Sequence, residues 1–308
     1  MKEHIYIVVV TYNRLTLLLR CLASLRRQSL IPEKIIIVDN ASTDGTNEAL
    51  QEIANEDKRV TYLRLTENIG GSGGFYEGIK HIQEIGEGWI WLMDDDALPE
   101  PTALEELSLQ AMNSGDIYGS VAVDEKNNSQ TLCWPVVLIK EKSKNQRILD
   151  AGESLVLEKV NGLPFLGFFI HTSLVRKIGL PDKDFFISGD DMDYSLRAIG
   201  TGANLWIVGK SKIRHPLPQR TDINLICTKV AVLNLSPWKR YYDTRNRFLI
   251  AKRYHGLKCW THVIPGTLIR WVFSMLTQKD RMKQTKAFYN GIIDGLMERS
   301  GIRWPPGT

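Results

Sequence analysis

The sequence predicts an α/β protein built on a mostly parallel sheet, and three observations carry that prediction. Short β-branched runs alternate with amphipathic helical stretches through the first hundred residues. The runs at 5–10, 35–38 and 89–93 are apolar, as expected of strands covered on both faces. Polar and glycine-rich motifs stand where the runs end, which is where open α/β sheets bind ligands.

Residues 5–10 read as the first strand, and 15–28 as a helix with Leu18, Leu22 and Leu25 in register. Residues 34–38 form the second strand and 43–55 the second helix, with Thr43 and Asp44 available as caps. A third strand covers 60–65, followed by a glycine loop and a helix over 75–85. The fourth strand, 89–93, runs into three aspartates. Between 114 and 150 the pattern loosens, with strand-like pieces at 121–124 and 136–139. An apolar run at 165–171, short helices at 173–178 and 191–199, and a last strand at 205–208 complete this region. Basic-aromatic helical stretches take over at 237–254 and 261–276. A boundary between 220 and 236 divides the chain into a catalytic domain, 1–225, and a helical region, 226–308.

Composition sets the class. With 43% hydrophobic and 24% charged residues, the 308-residue chain suits one large domain plus an appendage. Cys21, Cys133, Cys227 and Cys259 are far apart and form no CxxC pair, so reduced thiols in a cytoplasmic protein are expected. The first apolar run is too short for a signal sequence, and no apolar stretch reaches spanning length. The net charge of +4 is unevenly spread: residues 237–308 hold 14 Lys and Arg against 4 Asp and Glu. That imbalance suits an anionic partner, lipid headgroups or nucleic acid. A nucleic-acid binder would account for the tail but for neither acidic cluster, so no nucleic acid is expected. Aromatic residues interleaved with the cations suit helices lying on an anionic membrane surface, and equally a helical cap over the catalytic domain.

Four strand-end motifs carry the chemistry. Thr11-Tyr12-Asn13-Arg14 supplies an aromatic face and a fixed cation. Asp39, before Asn40-Ala41-Ser42-Thr43-Asp44, is placed to accept hydrogen bonds from a base or ribose, while Thr43 or Asp44 serves as a helix cap. Asn68-Ile69-Gly70-Gly71-Ser72-Gly73-Gly74 allows close backbone approach to a diphosphate, yet it is neither GxGxxG nor a P-loop. Asp94-Asp95-Asp96 is either solvated surface or a cation site. Three carboxylates ending an apolar strand favour the cation, with Asp94 and Asp96 reaching one Mn²⁺ or Mg²⁺ and Asp95 pointing elsewhere. A second acidic cluster, Asp190-Asp191-Met192-Asp193, reads as a helix N-terminus or as the seat of a general base. His215 is a structural histidine or a third metal ligand.

Taken in this order, the motifs resemble the inverting GT-A glycosyltransferases of family 2, over residues 5–215. The glycine run, the three aspartates, residues 186–194 and residues 241–247 with Arg245-Asn246 are similar to the bacterial galactofuranosyltransferase branch. The resemblance implies a GT-A fold, a Rossmann-like sheet with flanking helices. It implies that Thr11, Tyr12 and Arg14 hold the nucleotide of a nucleotide-sugar donor and Asp39 the uracil. Asn68, Gly70 and Gly71 would lie on the diphosphate side, with Asp94 and Asp95 also facing the donor. Asp94, Asp96 and His215 would bind Mn²⁺ or Mg²⁺, and Asp191 would be the catalytic base. Phe168, Phe169 and Asp190 would face the acceptor, and Gly189 and Phe168-Phe169 stand where galactofuranosyltransferases commonly carry tryptophan. UDP-galactofuranose leads as donor, with a rhamnosyl or other hexosyl nucleotide as the alternative. The implied acceptor is a saccharide or lipid-linked glycan of cell-surface polysaccharide, such as O-antigen, met peripherally on the inner face of the plasma membrane.

Overall fold

The computed structural model describes residues 3–126, 131–139, 146–148, 156–225, 228–257 and 259–304; Cys227 lies outside them. The chain divides into two compact units, Met1–Asp182 with Tyr194–Leu217, and Lys183–Asp193 with Pro218–Thr308. Lys183–Asp193, which carries the second acidic cluster, therefore groups with the C-terminal segment.

The first unit opens with β1 (Ile5–Thr11), α1 (Leu15–Arg26), β2 (Lys34–Asp39), α2 (Thr46–Glu56), β3 (Val60–Arg64), α3 (Gly70–Ile85) and β4 (Trp89–Asp94). β5 (Leu98–Pro99), α4 (Ala103–Gln110), β6 (Ile117–Asp124), β7 (Val137–Ile139), β8 (Gln146–Ile148), β9 (Leu157–Val160), β10 (Phe168–His171) and α5 (Thr172–Ile178) follow. Then come α6 (Asp190–Gly200), whose first four residues belong to the second unit, and β11 (Leu205–His215). Among the described residues these strands form one eleven-stranded sheet, in the order β3-β2-β1-β4-β10-β6-β11-β9-β7-β8, with β5 beside β11. The half from β3 to β4 is parallel throughout. Beyond β4 the sheet is mixed: β10 is antiparallel to β4 and β6, while β6 and β11 pair in parallel.

Strand alternation sends side chains to two cores. Tyr6, Val8 and Val10 of β1 join Phe75, Ile79 and Ile82 of α3 and Tyr194 of α6 on one face. Ile5, Ile7 and Val9 meet Leu18, Leu22 and Leu25 of α1 and Leu104 of α4 on the other. Such double burial is why the strands read as continuous apolar runs. Cys21 and Cys133 are buried free thiols in this unit, as Cys259 is in the other.

α3 corrects the sequence reading of its glycines. The helix begins at Gly70, so the expected loop before Phe75 is its first turn and a half. A Cβ on Gly74 would lie 2.4 Å from Val10 Cγ1, and one on Gly78 2.4 Å from Val8 Cγ1. These two glycines let α3 press onto β1. Gly71 instead meets nothing within 4 Å, leaving its backbone open.

The second unit holds a hairpin, β12 (Arg220–Leu225) and β13 (Thr228–Leu233), and three helices, α7 (Pro237–Ile250), α8 (Ile264–Thr277) and α9 (Arg281–Leu296). α7 and α9 meet backbone to backbone at Gly291 and Gly295: a Cβ on Gly295 would stand 2.5 Å from Phe248 Cβ. Phe186, Tyr241, Tyr242 and Ala287 form one small core, and Phe248, Ala251 and Cys259 another. No helix among the described residues is long and apolar enough to cross a membrane.

Candidate active site

In the first unit, the ends of β1, β2, β4 and β11 bring most of the predicted residues together. The loop after β1 and the loop after β2 are stitched to each other. Asn13, at φ 52°, donates its N–H to Ser42 Oγ (2.8 Å) and accepts from Thr43 N (2.7 Å). Asp44 caps both helices with one carboxylate, accepting from Leu15 N (2.9 Å) on Oδ2 and from the Thr46 hydroxyl (2.6 Å) on Oδ1. Those bonds outweigh burial and hold its pKa below the ordinary carboxylate value. Asn40, buried beside Asp39, accepts from Ile69 N (3.2 Å) and donates to Gly70 O (3.2 Å), tying β2 to the start of α3. Asn68 Oδ1 accepts from Gly70 N at 2.9 Å.

Asp39 is fully buried, with Oδ1 accepting from Ser42 N (2.9 Å) and Oδ2 from the Tyr62 hydroxyl (2.8 Å). Burial and the bond to Asp39 push the Tyr62 pKa up, so the hydroxyl keeps its proton as donor. Tyr12, in contrast, is exposed.

The three aspartates are sorted by their partners. Asp95 is buried; Thr11 donates its hydroxyl to Oδ2 (2.7 Å) and Arg14 Nη1 reaches Oδ1 (3.2 Å). Arg14 Nη1 also donates to Asp96 Oδ2 at 2.9 Å. The guanidinium thus neutralises two carboxylates at the mouth of β4 and stands where a cation was expected. Burial pulls its pKa down, but Asp95, Asp96 and Asp94 outweigh that and raise it. Burial raises Asp95 despite Arg14 and Thr11. For Asp96 burial acts upward too, yet His215 and Arg14 prevail and lower it. Together the aspartates and burial drive the Cys21 thiol well up, leaving it inert.

The predicted ligand set Asp94, Asp96 and His215 is only partly assembled. Asp96 Oδ1 lies 3.1 Å from His215 Nε2, but among the described residues no three His, Cys, Asp or Glu side chains are gathered to hold a metal. Asp94 sits at the end of β4, paired in register with Val10. The Asp96–His215 pair nonetheless fits a cation. His215 Nδ1 is 2.6 Å from the Pro216 carbonyl, so with Nδ1–H donating there a cation could take the place of the Nε2 proton that faces Asp96. Asp96 Oδ1 is buried and makes no well-aligned hydrogen bond despite the 3.1 Å approach of His215 Nε2. A second-sphere carbonyl holding the far ring nitrogen is the usual support of a metal-binding histidine. β11 brings His215 there by running on past 208 through an irregularity between Val208 and Lys212, farther than the expected strand. Trp134, which no sequence signal marked, packs against the imidazole with ring centroids 4.9 Å apart.

The acceptor reading of Phe168 and Phe169 is overturned. β10 lies inside the sheet, so the two rings point to opposite faces and both are fully buried in the cores.

In the second unit, Asp190 and Asp191 open α6 after a strained loop. Phe186 (φ 64°), Ser188 (φ 70°) and Gly189 (φ 83°) are left-handed, a conformation that costs non-glycine residues about 1 kcal/mol or more each. A Cβ on Gly189 would also sit 3.1 Å from Ile250 Cδ1, which explains glycine there. α7 holds this loop. Asn246 Nδ2 reaches the carbonyls of Phe185 (3.0 Å), Ile187 (2.9 Å) and Ser188 (2.7 Å). Arg245 donates to the carbonyls of Asp184 and Phe185 at 2.9 Å and to Asn246 Oδ1 at 2.8 Å. Sequence reading marked Arg245-Asn246 only as part of a resemblance. Asp193 is buried and structural, accepting from Arg253 (3.0 Å) and Tyr254 (2.9 Å). Asp191 is half-buried, and burial with the neighbouring Asp190 pushes its carboxyl up to about 7. A carboxylate so tuned takes up a proton at neutral pH and can release it again.

Residues 6–158 match the family model described as Glycosyl transferase family 2. The chain is similar to Galactofuranosyltransferase GlfT1 of Mycobacterium tuberculosis, 29% identical over 251 residues covering 80% of this chain and 82% of that one. It is also similar to dTDP-rhamnosyl transferase RfbF of Shigella flexneri, 25% identical over 307 residues covering 98% of each. Among solved structures, Mannosyltransferase PcManGT from Pyrobaculum calidifontis, in complex with GDP-Man and Mn²⁺, superposes with a TM-score of 0.60 at 14% identity, over 97% of this chain and 88% of that one.

Proposed function

With a glycosyl transferase family 2 domain over residues 6–158 and a GT-A fold, this chain belongs to the family 2 glycosyltransferases, and we propose that it is an inverting, metal-dependent galactofuranosyltransferase. The donor is UDP-galactofuranose, and the acceptor a hydroxyl of a saccharide or lipid-linked glycan in cell-surface polysaccharide assembly, such as O-antigen. The likeness to GlfT1 supports this donor. A rhamnosyl donor is the second reading, favoured by the end-to-end likeness to RfbF. The protein works in the cytoplasm, peripherally on the inner face of the plasma membrane.

The single observation that carries the reading is the Asp96–His215 pair beside Arg14, at the strand ends where such sheets take their ligands. Asp96 and His215 would hold Mn²⁺ or Mg²⁺. A divalent cation there supplies positive charge to a departing nucleoside diphosphate. Arg14, which bridges Asp95 and Asp96, is drawn to the donor's phosphates as a second fixed charge. Tyr12 offers its exposed ring to the base, and Asp39 orders the loop beneath it through Ser42 and Tyr62. The Gly70 and Gly71 backbone, at the start of α3, faces the diphosphate. Asp191 accepts the proton of the acceptor hydroxyl as that oxygen attacks the anomeric carbon. The bond to the diphosphate breaks and the centre inverts.

Thermal shift against a panel of nucleotide sugars, with Mn²⁺ and then with chelator, tests the site. Donor at a hundred times its dissociation constant stabilises the protein by about 2.7 kcal/mol. UDP-galactofuranose should shift the wild type only with metal, and His215→Ala should lose the metal requirement along with most of the shift. A metal-independent shift of equal size in both proteins would remove His215 and the cation from the site. A larger shift with dTDP-rhamnose would replace the donor.

A further inference from the structure

α8 is inside out. Leu268, Ile269, Val272 and Leu276 are 50, 37, 46 and 67% exposed, and at ~100° per residue they share one stripe of the helix. The opposite side, turned inward, carries Thr267 and Ser274, exposed by 1 and 0%. Thr267 donates its hydroxyl back to Val263 O (2.7 Å) within its own segment, and Trp271 Nε1 reaches Thr285 of α9 (3.1 Å), which ties this inward side to the next helix. The segment before α8 adds Leu257, 82% exposed, and Trp260, 61% exposed. A water-facing helix normally has the reverse polarity, because each large aliphatic side chain gains about 1.5–3 kcal/mol on leaving water.

From these observations we infer that the outward stripe of α8, with Leu257 and Trp260, is the face on which the protein lies in an anionic lipid bilayer. The charge around the stripe selects this occupant. Residues 251–290 hold 8 Lys and Arg against Asp280 alone. Lys279, Arg281 and Lys283 follow the stripe, all exposed, while Lys252 and Arg253 before it are engaged by Glu298 and Asp193. Protein interfaces are depleted in lysine, whereas an aliphatic stripe with an aromatic anchor and flanking cations suits acidic headgroups over acyl chains. At 14 residues, α8 lies along the interface and does not cross it. The inference gives the peripheral-membrane reading a specific face. It does not depend on glycosyl transfer, because the test is run without donor or acceptor.

The full chain is co-sedimented with vesicles of phosphatidylcholine alone and of phosphatidylcholine with phosphatidylglycerol. The wild type should bind the mixed vesicles and release in high salt. A variant carrying Leu268→Ser, Val272→Ser and Leu276→Ser should partition on the order of 100-fold more weakly, since three apolar contacts are lost. Its thermal midpoint and circular dichroism should match the wild type, because the three side chains point outward. Trp260 should also be quenched by brominated lipid, and Trp260→Phe should lose that part of the quenching. Equal vesicle binding by wild type and variant, or no preference for the anionic lipid, would overturn the inference. So would a wild-type dimer that the variant breaks, since a second copy would then own the face.

Discussion

Removing the Asn246 side chain should release the loop that carries Asp191. Its two amide protons are spread over the carbonyls of Phe185, Ile187 and Ser188, at 2.7–3.0 Å. Asn246→Ala strands at least two of these acceptors, and a buried polar group left unpaired costs about 1–3 kcal/mol. Arg245 also loses an acceptor, though it keeps Asp184 O and Phe185 O. Two acceptors would give about 2–6 kcal/mol, and because the Ile187 and Ser188 carbonyls are only partly buried the lower part of that range, about 2–4 kcal/mol, is expected, a fall of several degrees in the unfolding midpoint at roughly 2–4 °C per kcal/mol. Without those bonds, the left-handed Phe186 and Ser188 relax toward ordinary backbone and Asp191 leaves its place. The kinetic loss is bounded by the worth of a positioned base, roughly 10²–10⁴-fold in kcat. KM for the donor should stay near the wild-type value. The assay is steady-state transfer with saturating acceptor, paired with calorimetry on the same preparation. A variant whose kcat and midpoint both equal the wild type would show that Asn246 does not hold the loop. A variant with an unchanged kcat but a lowered midpoint would keep the clamp and remove Asp191 from the chemistry.

Two further outcomes follow from the geometry. Gly74→Ala forces a Cβ to 2.4 Å from Val10 and should cost about 1–3 kcal/mol of stability, while Gly71→Ala, in open space, should leave stability unchanged or gain up to about 1 kcal/mol; a donor affinity lost only in Gly71→Ala would place a ligand on that backbone. With the Asp191 carboxyl at about 7, kcat should rise with pH to a plateau above neutrality, and Asp190→Asn, by removing the like charge, should move that limb to lower pH. The raised folded-state value also means that ionising Asp191 opposes folding, so Asp191→Asn should be the more stable protein above pH 7 and not below pH 4. An acid limb that does not move in Asp190→Asn would sink the assignment.

The parallel half of the sheet was legible because β1, β2 and β4 are buried on both sides and each helix shows one apolar face. α3 misled because glycine reads as loop, whereas Gly74 and Gly78 are spaces left for Val10 and Val8. β11 was cut short because Gly209, Lys210, Ser211 and Lys212 hide a strand in its irregular stretch, and His215 then looked detached from the sheet. α4 and α9 went unread; α9 buries small or polar groups such as Gln284 and Gly291 while showing Met282 and Tyr289 outside. Phe168 and Phe169 drew an acceptor role from resemblance alone, although a two-residue aromatic run in a strand also suits two opposite cores. At the site, residue types were readable but partners were not. Nothing local in Arg14 says that it bridges Asp95 and Asp96, and nothing in Asn246 says that it meets carbonyls about sixty residues earlier.

Asp44 has a wider reach than a helix cap. One of its oxygens serves the start of α1 and the other the start of α2, so two loops hang from one ionised group. Its depressed pKa means that this support is complete above the ordinary carboxylate value and fades only in stronger acid. A single proton taken up there would weaken the caps at Leu15 and Thr46 together, leaving the bonds between Asn13 and Ser42 and Thr43 to hold the two loops. Acid would then loosen two helix starts at once through one group.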